Sequence, residues 1–123
     1  MNSKAKPEMR SSFIGIFDSG VGGLSITRAI HKLIPSQPVF YLADQAHVPY
    51  GEKKLTEIRS FAVKITEYLL KRGTVLIVVA CNTASAAALQ HLRNTFPDIP
   101  IVGMDPAIKP AILLTKSRVV GVL

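Results

Sequence analysis

Cysteine occurs once in these 123 residues and tryptophan never, and the aromatic set is limited to five phenylalanines and three tyrosines. A single thiol, Cys81, excludes an intrachain disulfide framework and any metal site built from several cysteines. No apolar run approaches the ~20 residues that a membrane-spanning helix needs. The opening MNSKAKPEMRSS lacks the apolar core of a secretory signal. Residues 1–12 therefore read as a flexible tail, and the expected location is the cytoplasm, with no membrane partner. Acids are scarce beside bases, 8 against 15, for a net charge of +7. Three bases (Lys4, Lys6, Arg10) and one acid (Glu8) put +2 of this in the tail. The rest is scattered, as in KLTEIRSFAVKITEYLLKR, with no basic cluster interleaved with aromatics, so no nucleic-acid partner is expected. The phosphate signatures are missing too. No Gly-Lys-Ser/Thr follows the glycines near position 20, and the G-x-G-x-x-G spacing is absent.

What is present is an alternation of strand-like and helix-like segments. SFIGIF is a short apolar strand that ends at Asp18. Ile26, Ile30, Leu33 and Ile34 then recur at helical spacing until Pro35 stops the helix. PVFYLA is a second strand, and DQAHVPYGEK a loop with Pro49 and Gly51 as breakers. Leu55, Ile58, Ile65 and Leu69 mark one face of a long helix, closed by Gly73 at its C′ position. TVLIVVA is a continuous apolar run of the kind buried on both faces of a parallel sheet. CNTASAAALQHLRNTF follows as a helix, with Asn82 or Thr83 as its cap. IPIVG is a short strand, DPAIKPAILLTK a helix with proline in its first turns, and RVVGVL one more strand.

Alternating β and α segments imply an α/β fold, an open parallel sheet with helices on both faces and right-handed crossovers. In such sheets ligands sit outside the carboxyl ends of the strands, where strand order reverses. The polar residues gather there: Asp18-Ser19, the 44–51 loop, and Cys81-Asn82-Thr83. Gly20, Gly22 and Gly23 allow a tight turn that presents backbone amides at a helix start, a place that attracts anions. Cys81 leaves a buried strand just before a helix N-terminus, where free N–H groups favour a thiolate. Tyr50 and Gly51 offer a hydroxyl and an amide close together, suited to a carboxylate, whereas His47 reads as a solvated loop histidine. His31 and His91 lie on helical stretches without an assigned role. The chain ends on a strand-like run with no helix to cover it, and bare strand edges invite aggregation. The expectation is the front part of a longer polypeptide.

FDSGVGGL at 17–24, VPYG at 48–51 and VVACNTASAAAL at 78–89 closely resemble, in order, the N-terminal motifs of the glutamate racemase family, within the cofactor-independent aspartate/glutamate racemase superfamily. The likeness covers roughly residues 13 to 106. Aspartate racemases share the Cys-Asn-Thr turn but usually open with a Gly-Gly-Met-Gly-type turn, so glutamate is the implied substrate. The resemblance implies a flavodoxin-like three-layer fold, with 13–98 in a first α/β domain and 99–123 opening a second. It also implies racemisation by two cysteines that flank the α-carbon, with neither cofactor nor metal, supplying D-glutamate for peptidoglycan. Cys81 is then the base on the D-enantiomer's face, and Asp18 takes its proton or orients the substrate ammonium. Ser19, Tyr50, Gly51, Asn82 and Thr83 bind the amino and carboxylate groups. The full-length protein is implied to be a homodimer.

Three departures stand out. The family often has arginine where this chain has His47, and a Glu-Pro pair where it has Asp105-Pro106. The second cysteine and its neighbouring histidine lie, in the family, well beyond residue 123, so these residues hold half of a site and are expected to be inactive alone. Two alternatives stay open: another superfamily member (an aspartate or hydantoin racemase, or a single-cysteine decarboxylase), and a non-enzymatic module that binds phosphate at the glycine turn.

Overall fold

The computed structural model describes residues 12–104 and 107–121. Four strands form one sheet: β1 (Phe13–Asp18), β2 (Val39–Ala43), β3 (Thr74–Val79) and β4 (Ile101–Gly103). Their order is β2-β1-β3-β4 and every pairing is parallel. Between them run the helices α1 (Leu24–Leu33), α2 (Leu55–Lys71) and α3 (Asn82–Thr95), and α4 (Ile108–Leu114) follows β4. Two 3₁₀ turns, Gln45–His47 and Tyr50–Glu52, shape the loop after β2. Among the described residues no helix is long and apolar enough to cross a membrane.

The strands form where β-branched and aromatic residues run together, and they stop where the chain turns polar or meets glycine. On α2, Ile58, Ala62, Ile65, Thr66 and Leu69 are buried on one helical stripe. This stripe packs on α3, whose Ala84, Ala87 and Ala88 are small enough for close approach. Phe17, Ile77, Val79, Leu69 and Leu92 fill the space between helices and sheet. The other sheet face carries Ile16 with its register partners Tyr41 and Val78. There α1 starts against Tyr41: a Cβ on Gly23 would lie 3.1 Å from the Tyr41 ring and 2.9 Å from Cβ of Ala80. Helices thus cover both faces, as the alternating pattern predicts. Gly73 closes α2 with φ of 94°, a conformation that glycine adopts without steric cost.

Several expectations are corrected. The cap of α3 is neither Asn82 nor Thr83, which are its first helical residues; it is Cys81. RVVGVL forms no strand over its described residues, 118–121. The α1 stripe is only partly covered, since Leu33 and Ile34 are exposed. Strand β4, just past position 98, pairs in parallel with β3. Asp105 and Pro106, and the tail through residue 11, lie outside the described residues.

Candidate functional site

Strand order decides where a site forms. From β1 the chain steps outward to β2, then returns across β1 to β3 and β4, so connections diverge between β1 and β3. At such a divergence the loops separate and leave a crevice at the carboxyl edge. Asp18 closes β1 there, and Cys81 stands two residues beyond β3. Backbone bonds tie the exits together: Ala80 N–H to the Phe17 carbonyl at 2.8 Å, and Asp44 N–H to the Asp18 carbonyl at 2.8 Å.

A cavity of about 420 Å³ opens at this crevice, lined among others by Asp18, Gly22, Cys81, Asn82, Thr83 and Met104. Cys81 is only 5% exposed. Its Sγ accepts the Ala84 N–H at 3.4 Å, which makes the thiol the N-cap of α3. Ser19 Oγ lies 3.4 Å from the same sulfur. An amide at a helix start and a hydroxyl are the donors that a sulfur carrying negative charge needs. Asn82 and Thr83, exposed on the first turn of α3, bring the positive end of the helix dipole to the cavity wall.

Asp18 is 6% exposed, and its own turn satisfies its carboxylate. Oδ1 accepts the Ser19 N–H at 2.7 Å, and Oδ2 the Gly23 N–H at 2.6 Å. The glycine turn therefore does not offer those two amides to an incoming anion, as the sequence pattern suggests; the Asp18 carboxylate fills them. This removes the main support for a phosphate module. Ser19 Oγ also lies 3.5 Å from Asp18 Oδ1, so serine stands between the carboxylate and the thiol.

The loop after β2 is built differently from its expected form. Tyr50 is 3% exposed, and its hydroxyl donates to Asp44 Oδ2 at 2.5 Å. Burial first, then this hydrogen bond and the nearby acidic groups of Asp44, Cys81 and Asp18, push the phenol far above its ordinary 10.0. The Tyr50 hydroxyl is thus engaged by Asp44. Gly51 is exposed on the same turn. His47 is not simply solvated: its Nδ1 lies 2.7 Å from Asp44 Oδ1, and its ring stacks on Phe61 at 4.0 Å. Ser85, near the cysteine in sequence, turns to backbone, donating to the Val79 carbonyl and accepting the Met104 N–H.

The structure therefore brings Asp18, Ser19, Cys81, Asn82 and Thr83 together, and sets Tyr50 and Gly51 on an adjoining brace centred on Asp44. Sequence reasoning missed Asp44 as that centre and Met104 as a wall of the cavity. The strand-exit rule points at the loop that Asp44 opens without marking it as the centre, and it extends equally to Met104, just past β4. Among the described residues, no cluster of three or more His, Cys, Asp or Glu side chains is placed to hold a metal ion.

Residues 14–123 match the family described as Asp/Glu/Hydantoin racemase. A glutamate racemase of Ectopseudomonas mendocina is 56% identical over 110 residues, covering 89% of this chain and 42% of its own length. One from Pseudomonas aeruginosa is 50% identical over 115 residues, 94% of this chain and 43% of its own. A crystal structure of Escherichia coli glutamate racemase, in complex with L-glutamate and the activator UDP-MurNAc-ala, superposes with a TM-score of 0.77 at 45% identity. It covers 86% of this chain and 40% of that one. The chain thus spans about two-fifths of the length of the curated relatives it matches.

Proposed function

The chain belongs to the Asp/Glu/Hydantoin racemase family, and from that premise we propose that a protein of its relatives' length carrying this sequence interconverts L- and D-glutamate through the Cys81 thiolate. The observation that carries the reading is the sulfur's placement at the helix start, with Ser19 beside it and Asp18 on the same cavity. Inverting an α-carbon means removing a weakly acidic proton and returning it from the opposite face. A general base held against the substrate contributes about 10²- to 10⁴-fold to such a step. Cys81 supplies one face; the opposite face needs a second acid–base group from the remaining three-fifths of such a protein, so these residues alone do not sustain turnover. Two opposed thiols suffice for this chemistry without cofactor.

In this reading Asn82 and Thr83 receive the substrate's α-carboxylate at the start of α3, and Asp18 with Ser19 faces its ammonium. Tyr50 and Gly51 contribute through the backbone, since the Tyr50 hydroxyl already serves Asp44. The names of the relatives favour glutamate over aspartate or hydantoin. Supply of D-glutamate for peptidoglycan, a cytoplasmic location and homodimer formation belong to the same proposal. The test is to join this chain to the remaining portion of the Ectopseudomonas mendocina relative. The hybrid is then incubated in deuterium oxide with glutamate, aspartate and a hydantoin. Deuterium incorporation with loss of optical rotation for glutamate supports the reading; turnover restricted to another substrate, or sustained by the 123 residues alone, defeats it.

A further inference from the structure

We infer that Ser85 is a positioning residue for Cys81, a staple that ties the exits of β3 and β4 to the first turn of α3 and so fixes where the sulfur stands. The inference rests on the racemase reading and deepens it, because a base must be held against the α-carbon to act.

Only Ala80 and Cys81 join the end of β3 at Val79 to the start of α3 at Asn82. The sulfur's place therefore depends on how the strand end and the helix start are set against each other. On the strand side, the Ala80 N–H is tied to the Phe17 carbonyl of β1 at 2.8 Å. On the helix side, the Ser85 N–H donates to the Cys81 carbonyl at 2.8 Å. The Ser85 hydroxyl spans the two. It donates to the Val79 carbonyl at 3.1 Å, reaching back six residues and closing a loop of chain that contains Cys81. The same oxygen accepts the Met104 N–H at 2.9 Å, and that N–H is shared with the Val79 carbonyl at 3.2 Å. A closed triangle of Val79, Ser85 and Met104 thus joins two strand exits and a helix turn around the thiol.

The surrounding sequence points the same way. Ser85 stands among Ala84, Ala86, Ala87 and Ala88, and alanine is the better helix former. The helix alone gives no reason for a hydroxyl there. Ser85 is only 7% exposed and spends its oxygen on backbone, whereas Asn82 and Thr83 are exposed on the cavity wall. Ser85 also lines a cavity of about 460 Å³ beside β4, with Leu89, Arg93 and Val102, which leaves room for one added methyl group.

Cys81 is the one thiol in the chain, so alkylation by iodoacetamide, read by mass, reports it alone. The rate would be followed at pH 10, where an ordinary thiol is ionised and the rate reports access, over urea concentrations below the unfolding transition. In the 123-residue chain, Ser85→Ala is expected to react about tenfold faster than the parent at a rate that hardly changes with urea, the mark of a local opening. Ser85→Thr keeps the hydroxyl and is expected to stay within about threefold of the parent. Leu69→Ala truncates the core in the last turn of α2, at the other end of the strands. It should expose the thiol only through global unfolding, at a rate that climbs steeply with urea.

In the hybrid protein, at a temperature where circular dichroism shows each variant folded, Ser85→Ala should lower kcat for D-glutamate by about 10- to 10²-fold. KM should change by less than about threefold, because Asn82 and Thr83 stay on the helix with the substrate while the sulfur shifts against it. Ser85→Thr should restore kcat, and Leu69→Ala should retain it. Either measurement unchanged in Ser85→Ala, an alkylation rate that climbs with urea as in Leu69→Ala, or a threonine variant as impaired as alanine overturns the staple. If Ser85→Ala fails to fold, Ser85→Cys, similar in shape with a weaker hydrogen-bonding group, takes its place, and peptide fragmentation resolves Cys81 from the new thiol. The alkylation measurement needs no racemase activity, so a failed staple is distinguishable from a failed racemase reading, which the parent hybrid tests.

Discussion

Replacing Tyr50 by phenylalanine removes one oxygen from a buried network and gives a stability difference whose dependence on pH follows from the structure. The hydroxyl donates to Asp44 Oδ2 at 2.5 Å in a residue 3% exposed. Without it, Asp44 retains His47 as its side-chain partner, and a buried oxygen that loses its donor costs about 1–3 kcal/mol. Tyr50→Phe is therefore expected to be less stable by that amount at pH 7. The gap then closes as pH rises. The phenol is raised in the folded state above its ordinary 10.0, so its stabilisation is fully present below pH 10. Above that point the unfolded chain releases the proton while the folded chain retains it. The parent should thus lose about 0.4 kcal/mol from this group at pH 10 and about 1.4 kcal/mol at pH 11. Phenylalanine has no such proton, and the effects of other titrating groups are common to both proteins and cancel. Urea unfolding of the pair at pH 8, 10 and 11 measures the difference directly. A gap that stays constant or widens between pH 8 and 11 would refute the network as drawn.

Gly23→Ala tests the tight start of α1. At φ of −64° alanine is conformationally acceptable, but its Cβ would lie 2.9 Å from that of Ala80 and 3.0 Å from that of Asp18. Overpacking of about 1–3 kcal/mol outweighs any gain in propensity, so urea unfolding should show a net loss together with faster alkylation of Cys81. His47→Ala removes the stack on Phe61 and the bond to Asp44; with the imidazole half-exposed, a loss of about 1–2 kcal/mol is expected by thermal or urea unfolding.

The strands and helices that build the crevice are legible in the sequence because each is strongly patterned. TVLIVVA admits little but a buried strand, and Ile58, Ile65 and Leu69 space out a helix. The strand exits follow from topology, which is why Asp18, Ser19, Cys81, Asn82 and Thr83 group together from sequence alone. What escapes is chemistry settled by local geometry. Cysteine is not a usual cap, yet the Cys81 sulfur reaches the Ala84 amide because β3 delivers it to the helix start in an extended conformation. The glycine turn looks open to anions; only the folded chain reveals that Asp18 folds back onto Gly23. Asp44 and His47 are three residues apart, a spacing visible in sequence, but the Phe61 ring beneath the histidine comes from a separate helix, α2. RVVGVL has strand composition, yet its described residues, 118–121, are not in a strand.

The most direct measurement is α-proton exchange of D-glutamate in deuterium oxide by the hybrid protein, compared between the parent and its Cys81→Ser variant. If the sulfur at the start of α3 removes that proton, Cys81→Ser lowers the exchange rate by about 10²- to 10⁴-fold while far-ultraviolet dichroism is unchanged. Exchange at the parent rate in the serine variant would place the base elsewhere and contradict the account.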